Sequence, residues 1–224
     1  MGKTVEKAVK SKGWDWSKVS GEHFSRTADE FLPVALRWRE LGKKTVLDLG
    51  CGRGRHSLFL AEMGFDVTAT DISPQGITQL KEEAGKRGLD GKIKTLVCDM
   101  LELPFPAKSF DAVLAFLSIT HTDYAGLQKA IARVADMLTP SGRFYVTFNS
   151  KSSDAFNHPS NKKIDSYTII KQHGLEKDIP HTYLERDDII SLLAGFEILK
   201  MQQIQDYYDT RISTHFFVEA EKKN

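Results

Sequence analysis

"VLDLGCGRGRHSLFLAEMGFDVTATD", Val46 to Asp71, carries the reading of the fold. An apolar, β-branched run, "TVLDL", meets three glycines at alternate positions, Gly50, Gly52 and Gly54. "RHSLFLAEMG" then places apolar residues at helical spacing and stops at Gly64, and "FDVTATD" alternates like a strand. Strand, glycine turn, helix and strand make a βαβ unit. Such a turn exposes backbone N–H groups at the helix N-terminus, and glycine lets the chain bend and lets a ligand approach the backbone.

The same alternation continues downstream. "SPQGITQLKEEAGKRG" predicts a helix with Ser73 as N-cap and Pro74 at its first position. "KIKTLVC" and "FDAVLAFLS" predict strands on either side of the proline-bearing loop "LELPFPAKS". "YAGLQKAIARVADML" predicts a helix with Leu127, Ile131, Val134 and Leu138 inward, and "RFYVTF" a fifth strand after the turn "TPSG". Strands alternating with helices imply a parallel sheet, whose ligands bind at the carboxyl ends of the strands. Residues 149–182 are polar and irregular, with short strands expected in "SYTIIKQ" and "HTYL"; a connection this long suggests a lid or substrate segment. After the helix "ERDDIISLLAGF", "FEILKMQQI" and "STHFFVEAE" predict an antiparallel pair joined by "QDYYDTR".

Upstream, "TADE" has the form of a capping box, with Thr27 as N-cap and Glu30 three residues on. Phe31, Val34, Ala35 and Trp38 then share one helical face, and Leu41-Gly42 ends the helix. Residues 1–26 carry Trp14, Trp16 and Phe24 among polar residues and predict an arm that packs down. The expectation is one domain over 1–224, comprising the arm and first helix (1–42), a ligand-binding core (43–148), the possible lid (149–182) and a terminal helix with a strand pair (183–224).

Composition narrows the function. The chain has 224 residues, 41% of them hydrophobic, enough for a globular core, and its apolar runs are too short to cross a bilayer. Its start, "MGKTVEKAVKSKG", is polar, so no secretory signal is expected and a cytoplasmic location is the default. Lys+Arg (31) balance Asp+Glu (30) without a basic block, which disfavours nucleic acid. A monomer or homodimer is expected. Cys51 and Cys98 are far apart and form no zinc framework, and the scattered histidines have no ligand spacing, so no metal is expected.

The glycine pattern is G-x-G-x-G followed by Arg55-His56, not the G-x-G-x-x-G of dinucleotide folds, and suits a ligand without a phosphate. "VLDLGCGRGRHSLFLAEMGFDVTATDIS", "VCDMLELPF", "FDAVLAFLSITHT" and "MLTPSGRFYVTF" together resemble, in order, the motifs of class I S-adenosylmethionine-dependent methyltransferases. The resemblance covers residues 40–150 and, more loosely, the tail "LLAGFEILK…HFFVEAE". The "GCGRGRH" variant resembles the branch with small-molecule and tellurite-resistance-type enzymes. The resemblance implies a doubly wound three-layer α/β sandwich, Rossmann-like, with a mostly parallel seven-stranded sheet and an antiparallel last strand.

It also implies the cofactor S-adenosylmethionine, with S-adenosylhomocysteine as product. Asp71 falls where the family has an acid for the ribose hydroxyls, and a carboxylate accepts two such bonds. Asp99 and Met100 fall in the adenine motif. Gly50, Cys51, Gly52, Gly54, Ile72 and Phe116 complete the expected cofactor wall. Asp48, a charge inside a strand, is expected to bond the glycine-loop backbone or ligand water. Arg55 or His56 could meet the ligand's methionine carboxylate.

A sulfonium carries its own leaving group, so methyl transfer is an in-line displacement that needs alignment and a dry site. A base is needed only if the acceptor holds a proton. His121, just past the fourth strand, is the candidate, with an acceptor-shaping role as the alternative; His181 and Tyr183 could face the site, and His158 and His173 read as loop residues. The predicted function is methyl transfer to a small molecule. The competing readings are a non-catalytic S-adenosylmethionine binder and a dinucleotide-dependent oxidoreductase.

Overall fold

The computed structural model describes residues 13, 14, 16, 19 and 25–223. Of the expected arm, Trp14 and Trp16 fall within this set, while Phe24 and the polar start lie outside the described residues.

β1 (Thr45–Leu49), β2 (Asp66–Asp71), β3 (Ile93–Val97), β4 (Phe110–Ala115) and β5 (Leu138–Ser150) run parallel in the order β3-β2-β1-β4-β5. β10 (Arg211–Lys222) lies antiparallel to β5 and to β9 (Phe196–Tyr208), which completes the expected mostly parallel seven-stranded sheet. β9 and β10 run through most of "QDYYDTR", leaving only Asp209-Thr210 between them, so the hairpin is longer than its sequence pattern suggests.

Three further strands extend the sheet. β6 (Lys162–Lys163), β7 (Thr168–Ile170) and β8 (Pro180–Leu184) form an antiparallel ladder. The pairing of β4 with β5 stops at Ala115↔Val146, and β8 takes over that edge through Asn149↔Tyr183 and Ser150↔Leu184. The other edge of β5 stays paired with β10 as far as His215↔Asn149. Thr182 N–H also donates to the Thr120 carbonyl at 2.9 Å. The 149–182 segment is therefore anchored at its two ends to the main sheet, with most of its residues in loops between the short strands.

Alternation along the strands builds two cores. Val46 of β1, Ala112 and Leu114 of β4 and Tyr145 of β5 face α1 (Leu32–Glu40), α2 (Arg55–Glu62) and α3 (Pro74–Lys86), where they meet Phe31, Trp38, Leu60 and Leu80. Leu47, Leu49, Val113, Phe144 and Val146 face the opposite layer, α4 (Tyr124–Met137) and α6 (Arg186–Leu192), where they meet Leu127, Ile131, Val134 and Ile189. Asp48 and Glu219 point to the first layer because of the same period. Glu219 on β10 is buried there and pairs with Arg37 of α1.

The ends of the helices follow local chemistry, with one correction. Ser73 Oγ accepts from Gly76 N–H at 3.3 Å, and Pro74 opens α3 as expected. α1 instead begins at Leu32, with Pro33 in its first turn and no side-chain cap. Pro33 sets the start five residues beyond Thr27, so no capping box forms there. Thr27 Oγ1 is drawn instead to the Arg55 carbonyl (3.4 Å), and Ala28 N–H donates to His56 Nε2 (3.3 Å). The segment before α1 is thereby tied to the start of α2.

Candidate active site

A cavity of about 700 Å³ opens at the carboxyl ends of β1, β2, β4 and β5, where β1 and β4 lead away in opposite directions. The glycine turn forms one end. Gly50, Gly52 and Gly54 all have φ in the left-handed range (+73°, +57° and +81°). Gly50 also lets Ser118 cross, because a Cβ there would lie 2.3 Å from Ser118 Cβ. At Gly52 a Cβ would lie 2.3 Å from Trp16, so Trp16 seats on bare backbone. Gly13, Trp14 and Trp16 line this end of the cavity, with the two indoles 5.6 Å apart.

Asp71 braces this turn. Its Oδ2 accepts from Gly52 N–H and its Oδ1 from Ser73 N–H, both at 2.8 Å. Burial raises its proton affinity against these two bonds. Each oxygen keeps acceptor capacity toward a hydroxyl in the cavity it lines. Asp48 is 2% exposed and accepts from Ser57 Oγ at 2.5 Å. The expected bond to the glycine-loop backbone is replaced by one to Ser57, because the first turn of α2 packs over that face of β1. Burial pushes Asp48 up to about 6 against the pull of Ser57, and the charge of Asp71 adds to the rise.

Arg55 lies 5.2 Å from the centre of the Phe116 ring, and the His56 ring packs against the same ring at a tilt, 4.7 Å between centres. Since His56 Nε2 accepts a backbone N–H and burial holds the ring neutral, with Arg55 adding to the effect, His56 offers the cavity no positive charge. Ile72, Met100, Cys51 and Cys98 also line the cavity. Burial raises both thiols, Cys98 to about 11 and Cys51 well above its ordinary range, so neither is a ready nucleophile. Gly54 and Asp99 do not line it. Gly54 packs on Leu80, where a Cβ would lie 2.2 Å from Cδ1, and Asp99 accepts from Leu101 N–H at 2.9 Å.

The far end of the cavity gathers polar residues from separate segments. His121, Asn149, Lys171, Glu176, His181, Tyr183 and His215 line it, with the exposed His158 and His173 at its rim. Asn149 Nδ2 donates to Thr120 Oγ1 and to the Thr182 carbonyl, both at 3.0 Å. Leu117 holds φ +51°, an uncommon conformation for a non-glycine residue, with its N–H on Thr147 Oγ1 at 2.5 Å. Burial pushes His121 down to about 3, and the neighbouring His181 adds to the effect. Burial opposes charge on Glu176, yet His181, Lys171 and His121 hold it well below the usual carboxylate range.

Sequence reasoning missed Ser57, Ser118, Lys171, Glu176 and His215. His215 left a trace as a polar residue in the strand run "STHFFVEAE"; Glu176 and Lys171 sit in a polar stretch where no periodicity distinguishes them.

Residues 46–142 match the protein family described as "Methyltransferase domain". A demethylmenaquinone methyltransferase of Thermus thermophilus is 34% identical over 121 residues, 50% of this chain and 53% of that protein. The chain spans about half the length of the curated relatives it matches. A SAM-dependent methyltransferase structure from Methanosarcina mazei superposes with a TM-score of 0.69 at 22% identity, covering 80% of this chain and 92% of that one. The 1,6-didemethyltoxoflavin-N1-methyltransferase of Burkholderia thailandensis, solved with 1,6-didemethyltoxoflavin and S-adenosylhomocysteine, gives 0.64 at 21% identity, covering 88% and 79%. These two structures share the fold.

Proposed function

We propose that this chain is a class I S-adenosylmethionine-dependent methyltransferase and that it transfers a methyl group to a small molecule held in the far half of the cavity. The observation that carries the reading is the glycine turn braced by Asp71 at the carboxyl end of β1. The residues fit the cofactor. The turn backbone at Gly50, Cys51 and Gly52 lines the cavity, Asp71 keeps lone pairs for vicinal hydroxyls, and Ile72 and Met100 supply apolar walls. When bound, S-adenosylmethionine supplies an electrophilic methyl group: an acceptor lone pair bonds to the methyl carbon as the carbon–sulfur bond breaks, and the electron pair stays on sulfur as S-adenosylhomocysteine forms.

The protein's part is positioning and exclusion of water. Phe116 and His56 line the cavity beside each other, and the indoles of Trp14 and Trp16 close its glycine-turn end. His121 stands at the far end as a neutral imidazole. Burial and the neighbouring His181 hold its proton affinity far below the ordinary imidazole range, which makes it a poor base. Its role is therefore to hold and orient the acceptor, and an acceptor that keeps its proton needs a second source of activation.

The balanced charge favours a small acceptor over a nucleic acid, and the competing readings divide on one experiment. Calorimetric titration with S-adenosylmethionine and S-adenosylhomocysteine is expected to give micromolar binding of both, followed by methyl transfer in an acceptor screen. A folded protein that binds neither overturns the reading. One that binds both and transfers nothing across a broad panel is a cofactor-binding protein.

A further inference from the structure

His121, Glu176 and His181 come from three separate segments: the loop after β4, the loop between β7 and β8, and β8 itself. Their ligand atoms all lie within 4.8 Å of one another. Glu176 Oε1 is 3.2 Å from His181 Nε2 and 3.8 Å from His121 Nε2. These two separations bracket the roughly 3.4 Å expected between ligands at a tetrahedral angle with metal bonds of about 2.1 Å.

The hydrogen bonding leaves a gap at the centre. His181 Nδ1 lies 2.9 Å from the Ile179 carbonyl, which can only accept, so Nδ1 carries the ring's proton. The Nε2 of a neutral ring then points a lone pair at a carboxylate oxygen. His181 is 2% exposed, and its Nε2 lies 3.2 Å from Glu176 Oε1. The buried His181 nitrogen and the half-buried Glu176 oxygen are bridged by a cation, either a proton on Nε2 or a metal ion. Lys171 does not fill that place, because its ammonium sits on the other oxygen, Oε2. It orients the carboxylate and keeps it ionised, as the Ile179 carbonyl orients His181. Outer partners of this kind are usual behind metal ligands.

We propose that His121, Glu176 and His181 bind one divalent transition-metal ion, of the zinc, cobalt or manganese kind, with its open position toward the acceptor half of the cavity. Two imidazoles and a carboxylate suit these ions, and the cluster contains no thiolate to select a softer one. The open position would take an oxygen donor of the acceptor and lower its proton affinity. Metal binding itself does not rest on the methyl-transfer reading.

The test uses the full chain after chelator treatment, titrated with Co²⁺ by visible absorption and with Zn²⁺ by calorimetry. One equivalent per chain is expected, with micromolar or tighter affinity. Glu176→Gln and His121→Asn are each expected to weaken it at least tenfold while S-adenosylhomocysteine affinity stays within twofold, which shows that both variants are folded. No metal bound to the unsubstituted protein overturns the proposal and leaves a proton on His181 as the bridging cation. Binding that survives both substitutions overturns it as well. Failure of S-adenosylhomocysteine to bind the unsubstituted protein would count against the methyl-transfer reading and not against the metal site.

Discussion

Replacing Asp71 with Asn tests the central brace of the site. The two side chains have the same shape, but Asp71 uses both oxygens, one for Gly52 N–H and one for Ser73 N–H, each at 2.8 Å. An amide has only one oxygen. Whichever way it turns, one backbone N–H faces an NH₂ group, donor against donor. Losing one charge-assisted bond costs about 1.5–3 kcal/mol, and turning the other from charged to neutral costs about 1 kcal/mol more. Removing the charge recovers part of this, since burial disfavours the ionised form. The recovery is the smaller effect, because it does nothing for the stranded donor. The expected net loss is about 2 kcal/mol of unfolding free energy without ligand, measured by urea denaturation. Affinity for S-adenosylhomocysteine is expected to fall 10- to 100-fold by calorimetry, about 1.4–2.8 kcal/mol. Unfolding within about 0.5 kcal/mol of the unsubstituted protein, the scatter of ordinary surface changes, would refute the bracing argument. Unchanged affinity would separately remove Asp71 from the ligand.

Gly52→Ala forces a left-handed alanine, at about 1–2 kcal/mol, and drives a Cβ to 2.3 Å from Trp16; a shift in tryptophan emission and at least tenfold weaker S-adenosylhomocysteine binding are expected, and an unchanged spectrum counts against the packing. Asp48, raised to about 6 from 3.8, binds its proton more tightly folded than unfolded, so its stability contribution is full below pH 3.8 and is lost as pH rises through 6. Asp48→Asn should therefore gain on the unsubstituted protein by up to about 3 kcal/mol between pH 4 and 8; taking this difference cancels His56 and His121, whose lowered values work in the opposite direction. Equal stability curves for the two proteins would exclude it. Arg37→Met strands the buried Glu219 carboxylate and is expected to cost about 3 kcal/mol in denaturant melts, with the double change Arg37→Met, Glu219→Gln recovering most of it.

Local patterns carried the central sheet. Val46, Leu47 and Leu49, and Ala112 to Ala115, alternate between two cores as their period demands, and the glycines of the turn occupy backbone conformations that few other residues tolerate. What escaped is long-range. Thr27 has the form of a capping residue, yet Pro33 sets the start of α1 and Thr27 bonds Arg55 instead. Ser57 is an ordinary helix serine until α2 crosses Asp48. Glu176 and His181 are five residues apart in sequence, but His121 reaches them only because β8 pairs beside the loop that follows β4. No spacing rule encodes that pairing.

The handover from β4 to β8 along the edge of β5 divides the labour of the two chamber walls. The far side is bounded by β5 and β8, with His121, Lys171 and Glu176 on the loops beside them. The opposite side is the glycine turn between β1 and α2, with the indole of Trp16 seated against Gly52. Selectivity and traffic are therefore expected to answer to different walls. Changes on β8 or around Glu176 would alter which molecule fits, with little effect on how fast it comes and goes; changes at Trp14 or Trp16 would alter residence time and leave the choice of molecule alone.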